Sequence, residues 1–256
     1  MRRAIVATRK ATAENAERAE PKLALRALRL LVGILALAAA APASAQGLFA
    51  AAPDAPKISL RPFFEMSNEK FLATKTFDAI FGETSAQFWG GGLQVTVWGD
   101  RVYAEVGASR LLKKNAELVG QRVFLSDGKV FKLGIPLQST LTPFEISGGY
   151  RFHVHPRVVP YAGAGFGSYH YTEESDFADS GENLDVTHRG GIFDAGVEVR
   201  AHRWVGVAVE AKYTHVPGIL GSAGVSQQFA QDSSARAARE RDLGGWAARL
   251  KVVVGR

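Results

Sequence analysis

The sequence predicts an all-β fold: an eight-stranded antiparallel up-and-down transmembrane β-barrel with long extracellular loops and short periplasmic turns. Three observations predict this fold class. Apolar and polar residues alternate with period two in eight segments, the connections between these segments alternate between short and long, and aromatic residues fall near both ends of the segments. Period-two alternation is typical of strands with two different faces, and the loop asymmetry is typical of membrane barrels.

Residues 1–45 are predicted to be a cleaved signal peptide. They contain an apolar run at 30–41, and Ala43 and Ala45 supply the small residues that precede a cleavage point. The leader holds 8 of the 31 Lys and Arg residues and 3 of the 25 Asp and Glu residues, so it carries five of the six net positive charges. The remaining chain, with 23 positive and 22 negative residues, is about neutral. This charge distribution excludes a nucleic-acid-binding function.

The rest of the chain is predicted to comprise a short N-terminal periplasmic segment, residues 46–56, and a barrel domain, residues 57–256. The sequence has no cysteine, which excludes disulfides, a cysteine nucleophile and cysteine-ligated metals. Its apolar runs are shorter than the roughly 18 residues that a membrane-spanning helix needs. A helical membrane protein is therefore excluded.

Eight strands are predicted in chain order from their alternation. The clearest has Val205, Val207 and Val209 on one face and Glu210 and Lys212 on the other. The predicted strands cover residues 57–67, 93–97, 101–109, 144–152, 158–171, 193–200, 205–213 and 246–254. The faces of the fifth strand are ambiguous, because its three alternate glycines all fall on one side.

The connections between the strands alternate sharply in length. The short turns are at residues 99–100, 153–157 and 201–203. Long connections of about 18, 30, 17 and 30 residues follow Ser67, Leu111, Tyr171 and Thr214, compared with a median of about 4–6 in soluble domains. An outer-membrane barrel places every long loop at its extracellular end, and an even strand count returns both termini to the periplasmic end.

Aromatic residues are predicted to form girdles at both ends of the barrel. The girdle at the loop end contains Trp89, Phe144, Tyr169, Phe193, Tyr213 and Trp246, and the girdle at the turn end contains Trp98, Tyr103, Phe152, Tyr161 and Trp204. Amphipathic rings favour the two membrane interfaces. The alternative is that aromatic residues simply favour strands.

The polar face is predicted to point into the lumen, where its charges form a structural ion-pair network. This face mixes charges with very small residues, which a narrow lumen requires and a solvated exterior does not. Buried charges must be paired, and the predicted network contains Arg61, Glu65, Arg101, Glu105, Glu145, Arg151, Asp194, Glu198, Arg200, Glu210, Lys212, Arg249 and Lys251. A soluble barrel with the polar face outside is the alternative.

These features together resemble the small outer-membrane barrel proteins of the OmpA, OmpX and OmpW kind. The glycine- and aromatic-rich stretches PYAGAGFGSYHY, residues 160–171, and GYRF, residues 149–152, carry the resemblance with the strand and loop pattern. It implies a location in the bacterial outer membrane, with membrane lipid and the barrel assembly machinery as partners. Many such barrels end in an aromatic residue, whereas this chain ends in Arg256.

Candidate chemical sites are few, and no cofactor, metal site or enzymatic activity is predicted. His153 and His155 form an H-x-H pair that could bind a metal, but they fit a turn better. Ser168 and His170 share a strand face, as the nucleophile and base of a lipid hydrolase would. The sequence contains no recognisable oxyanion hole for this chemistry.

The long loops are predicted to be the working surface of an envelope protein. Residues 69–82 predict a short amphipathic helix with Thr76 as its N-cap, Asp127 and Gly128 predict a hairpin, and residues 222–242 predict a polar segment. A structural or surface-interaction role, with an extracellular ligand contacted by the loops, is the leading hypothesis. The alternatives are a narrow porin-like channel, a soluble periplasmic ligand-binding barrel and a lipid hydrolase.

Overall fold

The described part of the chain forms a closed antiparallel β-barrel. The computed structural model describes residues 57–126, 129–175, 177, 183–218 and 242–255. The predicted signal peptide, the predicted segment 46–56 and nearly all of the predicted polar loop segment lie outside the described residues. The strands are β1 (Ile58–Phe71), β2 (Ser85–Val97), β3 (Val102–Leu111), β4 (Leu118–Ser126), β5 (Lys129–Arg151), β6 (Val158–Glu174), β7 (Leu184–His202), β8 (Val205–His215) and β9 (Gly245–Val254), and a helix α1 (Thr74–Phe81) follows β1.

The sheet closes through eight strand positions. Its order is β3-β2-β1-β9-β8-β7-β6-β5-β4, and a further pairing of β3 with β5 completes the circle. β5 pairs with β3 through residues 144–150 and with β4 through residues 129–139. β3 and β4 therefore follow one another along the same edge of β5 and together fill one of the eight positions. The predicted fold class, an all-β eight-stranded antiparallel up-and-down barrel, is confirmed.

Several strands extend much further toward the loop end than their alternation predicts. β5, β6 and β7 have 23, 17 and 19 residues. β4 and β5 are antiparallel, with Ser126 paired to Lys129, whereas the predicted turn residues Asp127 and Gly128 lie outside the described residues. In the added segment of β5 the facing of apolar and polar residues is reversed: Leu137 and Leu141 are buried on the inward face, whereas Gln138 and Thr142 on the outward face are exposed. The pattern of apolar residues outside and polar residues inside therefore ends before the hydrogen-bonded ladder ends.

The apolar face of the barrel points outward and the polar face points inward. In β8, Val207 and Val209 are exposed, whereas Glu210 and Lys212 are buried. The ambiguous fifth predicted strand follows the same rule, because Phe166 in β6 is 80% exposed. Twelve charged side chains are buried among the described residues. This distribution is the reverse of that in a water-soluble protein.

The loop end of the barrel is filled by an apolar cluster that includes α1. Phe77 of α1 is 2% exposed and stacks on Phe71 with ring centroids 4.0 Å apart. The cluster also contains Phe88, Leu111, Leu118, Leu141, Tyr171, Val216 and Leu243. The predicted helix is present, but the N-cap prediction was wrong: the N-cap is Ala73, and Thr76 lies within the helix. No helix in the described part of the chain is long and apolar enough to cross a membrane.

The substitution Phe77→Ala is expected to destabilise the barrel by about 3–5 kcal/mol, because it leaves a cavity in the apolar cluster. Unfolding in urea, followed by tryptophan fluorescence of the protein in lipid vesicles, measures this loss. Phe177→Ala is the matched control, since Phe177 is 76% exposed, and it should change stability little. Equal effects of the two substitutions would contradict the described packing of α1.

Candidate functional site: the barrel lumen

Charged side chains cluster in the lumen near the three short turns, which we call the turn end. The turn between β2 and β3 carries Asp100, whose carboxylate accepts hydrogen bonds from the Arg151 and Arg200 guanidinium groups. Arg151 has no exposed side-chain surface and also donates to Glu198 at 2.9 Å. Arg61 donates to the other Glu198 oxygen at 2.5 Å. Three arginines thus converge on two carboxylates.

The pKa of Asp100 reflects this environment. Burial acts to raise it, but the hydrogen bond with His153 and the charges of Arg151, Arg200 and Arg61 together outweigh burial and hold the pKa of Asp100 below its usual range. The carboxylate is therefore ionised at neutral pH and is bound to the surrounding strands.

A second group of charges occupies the middle of the lumen. Glu210 lies 3.1 Å from the Arg249 Nε atom and 2.8 Å from the Lys251 Nζ atom. Lys251 donates to Glu105 at 2.6 Å, and Arg249 donates to Glu65 at 2.9 Å. These residues come from β1, β3, β8 and β9, so the contacts cross the lumen as well as follow the sheet.

A third group connects the middle of the lumen to the loop end. Glu145 of β5 accepts hydrogen bonds from Lys212 at 2.6 Å and from Arg249 at 3.1 Å. Lys212 also lies 3.9 Å from Glu69, beneath the apolar cluster. Arg249 contacts carboxylates of both the second and the third group. The lumen contacts therefore form a nearly continuous column.

Three tyrosines face the lumen, where they donate hydrogen bonds to carboxylates. The hydroxyls of Tyr103, Tyr161 and Tyr169 donate to Asp194 at 2.6 Å, Glu210 at 2.9 Å and Glu145 at 3.0 Å. Their assignment to the membrane girdles was wrong, since all three side chains are buried. A phenol can serve an apolar interface or a polar network, so residue type alone does not decide between them.

Glycines on other strands make room for two of these phenol rings. A Cβ atom at Gly163 would lie 2.2 Å from the Tyr103 hydroxyl oxygen, and one at Gly196 would lie 2.7 Å from the Tyr161 ring. The small residues of the polar face therefore accommodate large inward side chains both from the adjacent strand, as Gly196 does for Tyr161, and from the next strand but one, as Gly163 does for Tyr103.

The structure differs from the predicted network at two positions. Arg101 lies in the turn beyond β2, and its side chain forms no ion pair with the described residues; the positive φ angles of Trp98, Gly99 and Asp100 interrupt the alternation that pointed it inward. Asp194 is buried as expected, but its close partner is Tyr103. The other eleven predicted network residues are brought together in the three groups.

Sequence reasoning missed Asp100 and Glu69. Asp100 lies in a turn rather than a strand, and Glu69 lies beyond the end of the first predicted strand. With these additions and without Arg101, six cations face eight carboxylates. The three tyrosine hydroxyls supply neutral donors where cations are fewer than carboxylates.

A small cavity lies between these side chains in the middle of the lumen. A cavity bounded by Glu105, Glu145, Asp194 and Arg249 has a volume of about 10 Å³, which is about the space that one water molecule requires. The lumen is therefore filled with side chains at this level, as expected for eight strands.

Seven of the predicted girdle residues lie at the outer surface. Trp246, Tyr213 and Phe193 are register neighbours on β9, β8 and β7, and Trp204 lies in the turn at the opposite end of β8. Phe144 is exposed, Phe152 is half-buried and contacts Tyr150, and half-buried Trp89 contacts Phe64 and Arg110.

The distance between the two girdles follows from the length of β8. Trp204 and Tyr213 are nine residues apart, which corresponds to about 30 Å of strand. A strand tilt of about 40°, typical of membrane barrels, would reduce this length to a height of about 23 Å.

Ser168 and His170 lie on the outward face of β6. The His170 Nδ1 atom is 3.4 Å from the Thr187 hydroxyl and 3.7 Å from Asp185, and no hydrogen bond joins Ser168 to His170 in the described part of the chain. His153 contacts Asp100, whereas His155 is exposed. The described residues contain no cluster of His, Asp or Glu that could hold a metal ion.

Known proteins provide only distant comparisons. No protein-family model and no curated protein matches the chain. Among solved structures, it is similar to Ail, the attachment invasion locus protein of Yersinia pestis (11% identity, TM-score 0.42, 77% of this chain and 95% of that chain). It is also similar to Neisserial surface protein A (11%, 0.41, 78% and 96%) and to the outer membrane protein OprG of Pseudomonas aeruginosa (11%, 0.39, 79% and 96%).

The substitution Asp100→Asn is expected to reduce the dependence of stability on pH. Because the folded-state pKa of Asp100 is lowered, its ionised carboxylate stabilises the folded protein. This contribution to the free energy of unfolding is complete above the unfolded-state pKa of about 4 and is lost as the pH falls toward the folded-state pKa. Free energies of unfolding measured between about pH 6 and about pH 3 should fall more steeply for the native protein than for the variant.

Glu83→Gln is the control for this measurement. Glu83 is an exposed carboxylate paired with Lys113 at the loop end, and exposed pairs contribute little to stability. This substitution should leave the slope nearly unchanged. If Asp100→Asn also leaves the slope unchanged, Asp100 does not hold the arginines as described.

Proposed function

We propose that this protein is an integral outer-membrane β-barrel whose lumen is closed by its own side chains and whose long loops form its working surface. The observation that carries this proposal is the exposed apolar band around a lumen of paired charges. Large exposed apolar patches are unfavourable in water, and the strand length between the two girdles, about 30 Å, is sufficient to cross the roughly 25 Å apolar height of outer-membrane barrels.

Two further features support the membrane location. The closed ladder leaves no sheet edge in the barrel wall, as a lipid-facing structure requires. Aromatic residues flank the apolar band at both ends, with Trp246 and Phe193 on one side and Trp98 and Trp204 on the other. The similar solved structures include a protein named as an outer membrane protein, OprG.

A closed lumen favours a structural or surface-interaction role over transport. Ion pairs fill the turn end and the middle of the barrel, and the apolar cluster with α1 fills the loop end. A solute would have to displace both groups, including side chains that pair with several partners. Among the described loop-end residues, 112–115 are exposed and lie outside this packing, so they are open to an extracellular ligand or surface partner.

An apolar photoreactive diazirine dissolved in the bilayer is expected to label the outward residues Val207, Val209, Leu250 and Val252 and to spare Glu210 and Lys212. Residue-level mass spectrometry of protein in vesicles makes this comparison within single peptides. Protein unfolded in detergent is the control, and it should be labelled on both faces. Labelling of Glu210 and Lys212 in the vesicles would support the soluble, inverted barrel instead.

Planar bilayers containing the protein are expected to show no reproducible stepwise conductance, because the charged column and the apolar cluster block the lumen in series. A sixteen-stranded porin inserted under the same conditions is the control, since its lumen is an aqueous channel. Regular single-channel steps from this protein would support the porin-like alternative.

A further inference from the structure

The exposed side chains at the turn end are strongly cationic. Lys57, Arg157 and Arg203 are exposed and Arg101 is half-buried; we call these four residues the cation ring. They lie in the turns or directly before β1. None of the four forms an ion pair with the described residues. The side chains of the ring are therefore available to an anionic partner.

Acidic side chains do not offset this charge within the three short turns, which the structure describes in full. Within the turns 98–101, 152–157 and 203–204, Asp100 is the sole acidic residue. It is 5% exposed and is bound by Arg151 and Arg200 from the lumen side. The exposed loop end differs, since cations and carboxylates are mixed there, as in the pair of Lys113 and Glu83.

Two tryptophans lie among these cations. Trp98 is 73% exposed in the turn between β2 and β3, and Trp204 is 47% exposed in the turn between β7 and β8. The Arg203 guanidinium carbon lies 5.8 Å from the centre of the Trp204 ring. Indole rings favour the level of lipid headgroups, and the apolar band begins directly beyond them with Val205 and Val254.

We propose that the turn end binds the phosphate groups of anionic phospholipids in the adjacent leaflet through the cation ring, with Trp98 and Trp204 at the headgroup boundary. This inference rests on the proposed membrane location. The apolar band places the ring at the height of lipid phosphates, which favours lipid over a soluble acidic protein or the cell wall. Cations close to an anionic surface each add attraction that decreases within a Debye length.

Fluorescence quenching by brominated lipids tests this proposal. A variant with Trp89→Phe and Trp246→Phe keeps tryptophan only at the turn end, and one with Trp98→Phe and Trp204→Phe keeps it only at the loop end. Each is inserted into phosphatidylcholine vesicles that contain a minor fraction of phosphatidylglycerol. In separate samples, either the phosphatidylglycerol or an equal amount of the phosphatidylcholine is brominated.

Brominated phosphatidylglycerol is expected to quench the turn-end tryptophans more strongly than brominated phosphatidylcholine, and high salt should remove the difference. The loop-end tryptophans should show a smaller preference. In the turn-end variant, Arg157→Gln with Arg203→Gln should reduce the preference by roughly fivefold for each charge removed. The matched control is Lys114→Gln with Arg189→Gln, two exposed cations at the loop end, which should leave it unchanged.

Two outcomes would overturn the proposal. The first is equal quenching by the two brominated lipids at the turn end. The second is binding to peptidoglycan sacculi that depends on Arg157 and Arg203 while no lipid preference is found, which would assign the surface to the cell wall. Failure to insert into phosphatidylcholine, detected as identical gel migration of boiled and unboiled samples, would contradict the proposed membrane location instead.

Discussion

Every charge in the lumen must find a partner, because neither bulk water nor lipid is available to it there. An ion in a poorly solvated interior loses several kcal/mol of hydration, and paired contacts from several strands offset this loss. Arg249 shows the result, since it contacts Glu65, Glu145 and Glu210 on three other strands. Breaking one such pair would leave the remaining charge without compensation, so these contacts restrict the register of the whole barrel.

The same requirement explains which parts of the architecture sequence reasoning could predict. Alternation identifies the strand segments within the apolar band and their facing, because every second residue there must meet a different environment. It fails beyond the band, where the facing is reversed: Leu137 and Leu141 of β5 are buried, whereas Gln138 is exposed. The roles of Tyr103 and Tyr161 depend on Gly163 and Gly196 of other strands, and period two alone does not reveal which strands lie close together.

The turn residues show a different limit of prediction. Asp100 binds the lumen arginines because three consecutive residues, Trp98 to Asp100, have positive φ angles that direct the Asp100 side chain back toward Arg151. The same geometry removes Arg101 from the network. A two-residue turn could be recognised by length, but its backbone angles decide which of its charges is buried and which remains outside.

The two ends of the barrel are closed by different means, and this difference bears on function. At the turn end, arginines bind carboxylates in the lumen and other cations remain at the surface. At the loop end, Phe71 and Phe77 with α1 cover the charged column with apolar packing, so the loop segments are anchored to a rigid base. Because recognition commonly resides in loops held by a stable scaffold, the loops can vary in sequence while the lumen keeps the charges that hold the scaffold together.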